Sequence, residues 1–162
     1  MSRIPFTRKN LDPRCTMSFL DSCAFNPQQS EHDAAQEIRN LGKDGQVNLT
    51  ITHCTQKELE HPNTPMDVKR EATEIQYTIA TSLTPKEKES RRRVHEILTG
   101  NGKPATCAAD AAHVSEAEKY GGYFITTDQR ILDKREGLQR ESGAVILAPT
   151  EWLSIFNGAA AA

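Results

Sequence analysis

Four carboxylates stand out by where they fall along the chain. Asp21 closes the apolar run Met17, Phe19, Leu20. Glu58 lies a few residues beyond the β-branched stretch Val47–Thr52. Asp110 begins an alanine-rich segment, and Asp128 directly follows Tyr123–Thr127. A charge at the end of an apolar run is costly to bury without a partner. Two carboxylates ~4 Å apart repel by roughly 4 kcal/mol at an effective dielectric of about 20. A divalent cation reverses that sign. All-oxygen ligands favour a hard ion, Mg²⁺ or Mn²⁺, held by a few carboxylates and several waters.

For these four to meet, the chain must bring distant segments to one edge. Thr16–Leu20, Val47–Thr52, Tyr123–Thr127 and Ala144–Leu147 read as strands. Asp33–Leu41 reads as a helix stopped by Gly42, and Thr55–Glu60 as a short helix. Val68, Ala72, Ile75 and Ile79 predict a longer helix over Met66–Ser82. Thr84-Pro85-Lys86-Glu87 combines an N-cap, a proline at the first helical position and a glutamate at the third, opening a helix that stops at Gly100. Thr106–Tyr120 is a helix, Gln129–Arg140 a partly helical connection, and Glu151–Phe156 a last short helix begun by Pro149-Thr150. Strands alternating with helices predict a central, mainly parallel sheet covered on both faces, a three-layer α/β/α domain. Sites in such sheets form beyond the carboxyl ends of the strands, where Asp21, Glu58 and Asp128 fall.

The chain has 162 residues and a formal net charge of -2, which sets it apart from a generic basic nucleic-acid coat. It holds no apolar run of about 18 residues for a membrane span and no signal-peptide core. The expected compartment is the cytoplasm, with Cys15, Cys23, Cys54 and Cys107 reduced. The expected organisation is a basic arm over residues 1–15, one domain over 16–156 and a low-complexity tail over 157–162.

Four segments resemble the PIN-domain ribonucleases, and among them the VapC-type toxins. F-L-D-S-C-A-F (19–25) looks like the family's first strand and its Asp. T-I-T-H-C-T-Q-K-E-L (50–59) looks like the second strand and its Glu-Leu pair. A-A-D-A-A-H-V-S-E-A (108–117) and Y-F-I-T-T-D-Q-R-I-L (123–132) are similar to the third and fourth acidic motifs. A-V-I-L-A-P-T-E-W-L (144–153) fits the last strand, proline and helix. The first motif departs from the usual Asp-Thr-Asn: Asp21-Ser22-Cys23 keeps a hydroxyl but sets a soft thiol beside the metal position.

The resemblance implies a PIN-like fold and Mg²⁺- or Mn²⁺-dependent hydrolysis of RNA phosphodiesters. Asp21, Asp110 and Asp128 would be metal ligands, with Glu58 direct or through water. Ser22, Thr126 and Thr127 would support them, and Asp133 is an outer candidate. The family's usual company is an antitoxin and a second copy of the chain, offered here by Met66–Ser82 and Pro85–Thr99.

Each residue also has a plainer reading. Asp21 could open a turn, Asp110 could favour a helix start, and Asp128 could be an N-cap. Thr55-Gln56-Lys57-Glu58 is itself a capping box, which leaves Glu60 as the rival ligand. Arg91, Arg92 and Arg93 are either an RNA phosphate clamp or a solvated face paired with neighbouring glutamates. Cys23, Cys54, Cys107, His53 and His113 lack zinc-finger spacing. Alternative functions are an inactive PIN-like RNA-binding or assembly module, a structure-specific DNA nuclease and, last, a receiver-like signalling domain.

Overall fold

The fold is taken from a computed structural model that describes residues 12–25, 31–73, 75–77, 83–100, 111–112, 114–115, 122–142 and 144–160. Asp110, residues 1–11 of the arm and most of the predicted 106–120 helix lie outside them. Strand β1 (Ser18–Leu20) leads through a 3-10 turn, Ser22–Phe25, towards helix α1 (His32–Lys43). Then come β2 (Leu49–Ile51), α2 (His53–Leu59), α3 (Met66–Thr73), β3 (Gln76–Tyr77) and α4 (Pro85–Thr99). Residues 111–112 and 114–115 are helical. The chain continues with β4 (Tyr123–Ile125), α5 (Gln129–Asp133), α6 (Arg135–Ser142), β5 (Val145–Leu147) and α7 (Pro149–Ala160).

The five strands form one sheet in the order β3-β2-β1-β4-β5, and every pairing is parallel. Ser18 stands level with Leu49 on one side and Tyr123 on the other. Alternation along the strands divides the core in two, because successive side chains point to opposite faces. Leu20, Ile51, Tyr123, Ile125, Val145 and Leu147 pack on the face shared with Ile38 of α1 and Trp152 of α7. Phe19, Phe124 and Ile146 pack on the other, with Val94 and Leu98 of α4, Val114 and Leu138. This is the expected three-layer α/β/α arrangement, PIN-like in architecture. Among the described residues, no helix is long and apolar enough to cross a membrane.

Local signals explain most boundaries. Thr84 accepts from the Glu87 backbone N–H at 3.2 Å while Glu87 accepts from the Thr84 N–H at 3.0 Å, the capping box read from sequence. Two expectations are corrected. Helix α3 ends at Thr73 rather than Ser82, and Gln76–Tyr77 pairs with Thr50–Ile51 as an edge strand. Ile75, Tyr77 and Ile79 alternate as well as they fit a helix, and the free edge of β2 decides between the two. Gly42 does not stop α1, which runs on to Lys43. The left-handed turn falls at Gly45, with φ of 73°. Gly122, entering β4, admits no side chain: a Cβ there would overlap the Met17 carbonyl.

The strand order reverses beside β1. From there the chain builds outward through β2 and β3 on one side, then through β4 and β5 on the other. In open parallel sheets the crevice at such a reversal, beyond the carboxyl ends, is where ligands bind. Here it opens between the ends of β1 and β4.

Candidate functional site

Asp21 leaves β1 at this crevice. Its backbone N–H continues the ladder to Ile125 O at 3.0 Å, which locks its position, and the residue is only 4% exposed. Oδ1 accepts from the Ser22 N–H at 2.8 Å. Oδ2 accepts from Thr126 Oγ1 at 2.8 Å and from the Cys23 thiol at 3.4 Å. These donors offset the cost of burying a carboxylate. Among the described residues no cationic side chain pairs with it. Asp21 does open a turn, since Ala24 N–H reaches its carbonyl at 3.1 Å, but that contact uses the backbone and leaves the carboxylate for other work.

Ser22 and Thr126 link the other carboxylates to Asp21. The Ser22 hydroxyl donates to Glu58 Oε2 at 2.7 Å. The capping-box reading of Glu58 is therefore corrected. The chain leaves β2 extended at Thr52, so Thr52 is the N-cap of α2, and its hydroxyl accepts from Thr55 N–H at 3.1 Å. Glu60, the rival, instead accepts from Gln56 Nε2 at 2.6 Å on the exposed side of α2. Thr126 is fully buried; its hydroxyl donates to Asp21, accepts from the Asp128 N–H at 3.0 Å and lies 3.4 Å from the Cys23 sulfur.

Asp128 caps α5, accepting from Arg130 N–H at 2.9 Å, so its plainer role is real. The Arg130 guanidinium also grips both oxygens, with Nε at 3.1 Å and Nη2 at 2.8 Å. Partial burial pushes the Asp128 carboxyl up, but the Arg130 side-chain and backbone hydrogen bonds and its charge outweigh that and hold it below its ordinary value. Thr127 is buried, and its hydroxyl finds no hydrogen-bond partner among the described residues. Asp133 accepts from Gln129 Nε2 at 2.6 Å on the exposed side of α5.

The described residues thus bring Asp21, Glu58 and Asp128 to one edge, joined through Ser22 and Thr126. Among them, no group of three His, Cys, Asp or Glu is close enough to share an ion. The fourth carboxylate, Asp110, lies outside the described residues.

Burial and then the neighbouring Asp21 charge push the Cys23 thiol up to about 11, with the Thr126 hydroxyl, 3.4 Å from the sulfur, opposing the shift. At pH 8 only about a thousandth of it is thiolate, the reactive form. Iodoacetamide at pH 8 is therefore expected to label exposed Cys15 at least about 10²-fold faster than Cys23. Peptide mass spectrometry over a labelling time course measures this, and equal rates would contradict the buried placement. Cys107 and His113, and the side chains of Cys54 and His53, lie outside the described set.

Two members of the arginine run are paired. Arg92 bonds Glu89 at 2.5 Å and also Glu96, while Arg93 bonds Glu89 at 3.4 Å and Glu141 at 2.7 Å. The hydrogen bond from Arg92 holds the Glu89 carboxyl down at about 2. Glu141 lies at the end of α6, just before the amino end of β5, so Arg93 points away from the carboxylate edge. Arg91, the third member, is half-buried on the same helix.

Two contributors carried weak sequence signals. Arg130 stands two residues after an N-cap aspartate, a spacing that allows the grip observed. Arg39, which ties the 3-10 turn to α1 and α3, reads in sequence as an ordinary helix-surface arginine. No known family model matches the chain, and no curated protein or solved structure is significantly similar to it.

Proposed function

We propose that the chain is a metal-dependent endoribonuclease hydrolysing RNA phosphodiester bonds, acting as the toxin of a toxin–antitoxin pair. The observation that carries the reading is the burial of Asp21 at the strand-order reversal. It has no cationic partner among the described residues and is tied to Glu58 through the backbone N–H and hydroxyl of Ser22, and to the Asp128 backbone through the Thr126 hydroxyl. The donors are carboxylate and hydroxyl oxygens, the set a hard divalent cation takes. Asp21 and Asp128, with Asp110 from the sequence pattern, would hold Mg²⁺ or Mn²⁺, and Glu58 would join directly or through water. A bound ion supplies water activation and charge neutralisation at the phosphate.

The protein's own groups do the rest. Thr126 fixes the Asp21 carboxylate, and Ser22 aims Glu58 at the same edge. Arg130 must release Asp128 for an ion to enter. Its side chain is 69% exposed, and such pairs are worth only about 0–1 kcal/mol, so a doubly charged ion displaces it at small cost. The same reading brings an antitoxin and a second copy as partners. Helix α3, none of whose residues is fully buried, offers one such surface.

Incubating the protein with a mixed RNA pool tests the proposal. Cleavage is expected with Mg²⁺ or Mn²⁺ and none in EDTA. RNA binding that is equal with and without EDTA, and never followed by cleavage, would replace the nuclease with a binding module. Preference for branched DNA would change the substrate class.

A further inference from the structure

A cleft of about 400 Å³ is lined in part by Ser22 and Glu58. That volume lies within the range of small-molecule sites, roughly 300–1,000 Å³. Its apolar wall is Phe25, Leu59 and Val68, the first two buried in the core and the third packed against it. Phe25 is held in place by Arg39, whose guanidinium carbon lies 5.3 Å from the ring centroid. The polar rim includes His61 and Asn63, both exposed. His61 Nδ1 accepts from the Asn63 backbone N–H at 3.1 Å, so a neutral His61 carries its proton on Nε2 and offers a donor. The Asn63 side-chain amide makes no hydrogen bond among the described residues, leaving a donor and an acceptor side by side.

We propose that this cleft receives an unstacked purine base of the RNA, adenine in preference, while the adjoining phosphate meets the carboxylate edge. The proposal rests on the nuclease reading above. An unstacked base has an apolar face and a polar rim, and proteins read single-stranded RNA by covering the face and bonding the edge. The cleft has that division. An asparagine amide matches the N6 donor and N7 acceptor of adenine, and no charged group is needed to bind the base. Ser22 lies between the two halves, lining the cleft and hydrogen-bonded to Asp21 through its backbone.

The test titrates the full chain with 5′-AMP and with 5′-CMP in EDTA, following backbone amide resonances by NMR. AMP is expected to shift the amides around Phe25, His61, Asn63 and Val68 saturably, and to bind about tenfold more tightly than CMP. Asn63→Ala, on an exposed loop, is expected to remove most of that preference. Val68→Trp, which fills the cleft, is expected to abolish the shifts. In Mg²⁺, sequencing of cut ends should show adenine enriched beside the cut for the wild type and not for Asn63→Ala. Metal-dependent cleavage with no AMP shifts in the cleft, or with equal AMP and CMP binding, overturns the base site and leaves the nuclease. Saturable AMP shifts in the cleft without any metal-dependent cleavage keep the base site and overturn the nuclease.

Discussion

Asp21→Asn is expected to reduce metal-dependent RNA cleavage by at least about 10²–10³-fold, the scale of losing one charge-stabilising group from an active site. The substitution keeps shape and removes charge. The buried carboxylate is the group on which Ser22 and Thr126 converge. An amide there turns one oxygen into a donor. With nitrogen at the Oδ2 position, the Thr126 hydroxyl would face donors from both the introduced amide and the Asp128 N–H, and its own proton would lose its acceptor. Rate and melting temperature, measured with and without Mg²⁺, separate loss of chemistry from loss of fold. Wild type at an Mg²⁺ concentration near 100 times its Kd should gain about 2.7 kcal/mol of stability through binding to the native state alone, and the variant almost none. Undiminished cleavage by the purified variant would remove Asp21 from the mechanism and with it the nuclease proposal.

Arg39→Met should cost about 3–5 kcal/mol, the penalty for breaking a buried ion pair from one side. Arg39 is 3% exposed and spends its guanidinium on three elements. It bonds Glu71 of α3 at 2.6 Å, Gln36 on its own helix at 2.7 Å and the Ala24 carbonyl at 2.5 Å. Its loss strands the Ala24 carbonyl and leaves Glu71 only with Lys43, 3.5 Å away. Because Lys43 still offsets part of the Glu71 charge, the lower end of the range is expected. For a chain of this size the midpoint should fall by roughly 10 °C. Arg39→Lys keeps the charge but not the planar fork, so it should recover only part of the loss. Urea denaturation measures all three chains, and a cost below about 1 kcal/mol for Arg39→Met would show that the pair contributes little.

The elements that carried a period and a punctuating residue were legible in sequence. α4 shows this best: Thr84, Pro85 and Glu87 at one end and Gly100 at the other mark the helix found. So do β4 and β5, apolar runs ending at Ile125 and Leu147, although β4 stops two residues short of the expected Thr127. β3 was not legible, because Ile75 and Ile79 satisfy both periods and only the neighbouring strand chooses. Carboxylates at strand ends were legible as a candidate set; Asp21, Glu58 and Asp128 are joined through Ser22 and Thr126, but among the described residues no three such groups are close enough to share an ion. The wiring of the set was not legible. That Glu58 answers to Ser22, and not to Thr55, depends on Thr52 being the last extended residue of β2. That Asp128 is gripped by Arg130 depends on a side-chain torsion that no pattern encodes. The wall of the cleft is formed by residues from the 3-10 turn, α2 and α3, which only the folded chain brings together.

The placement of β1 in the middle of the sheet has a consequence for how the molecule is made. Its partner on one side is synthesised early, but Thr126, which completes the Asp21 environment, comes 105 residues later. A nascent chain therefore holds Asp21 without Thr126 while the 105 residues between them are made, and the crevice closes only after the ribosome has released β4. Such distant pairing slows folding, because loop-closure entropy is spent before the contacts repay it. Until then no catalytic edge exists, so the growing polypeptide is harmless to the RNA around it under the proposed activity.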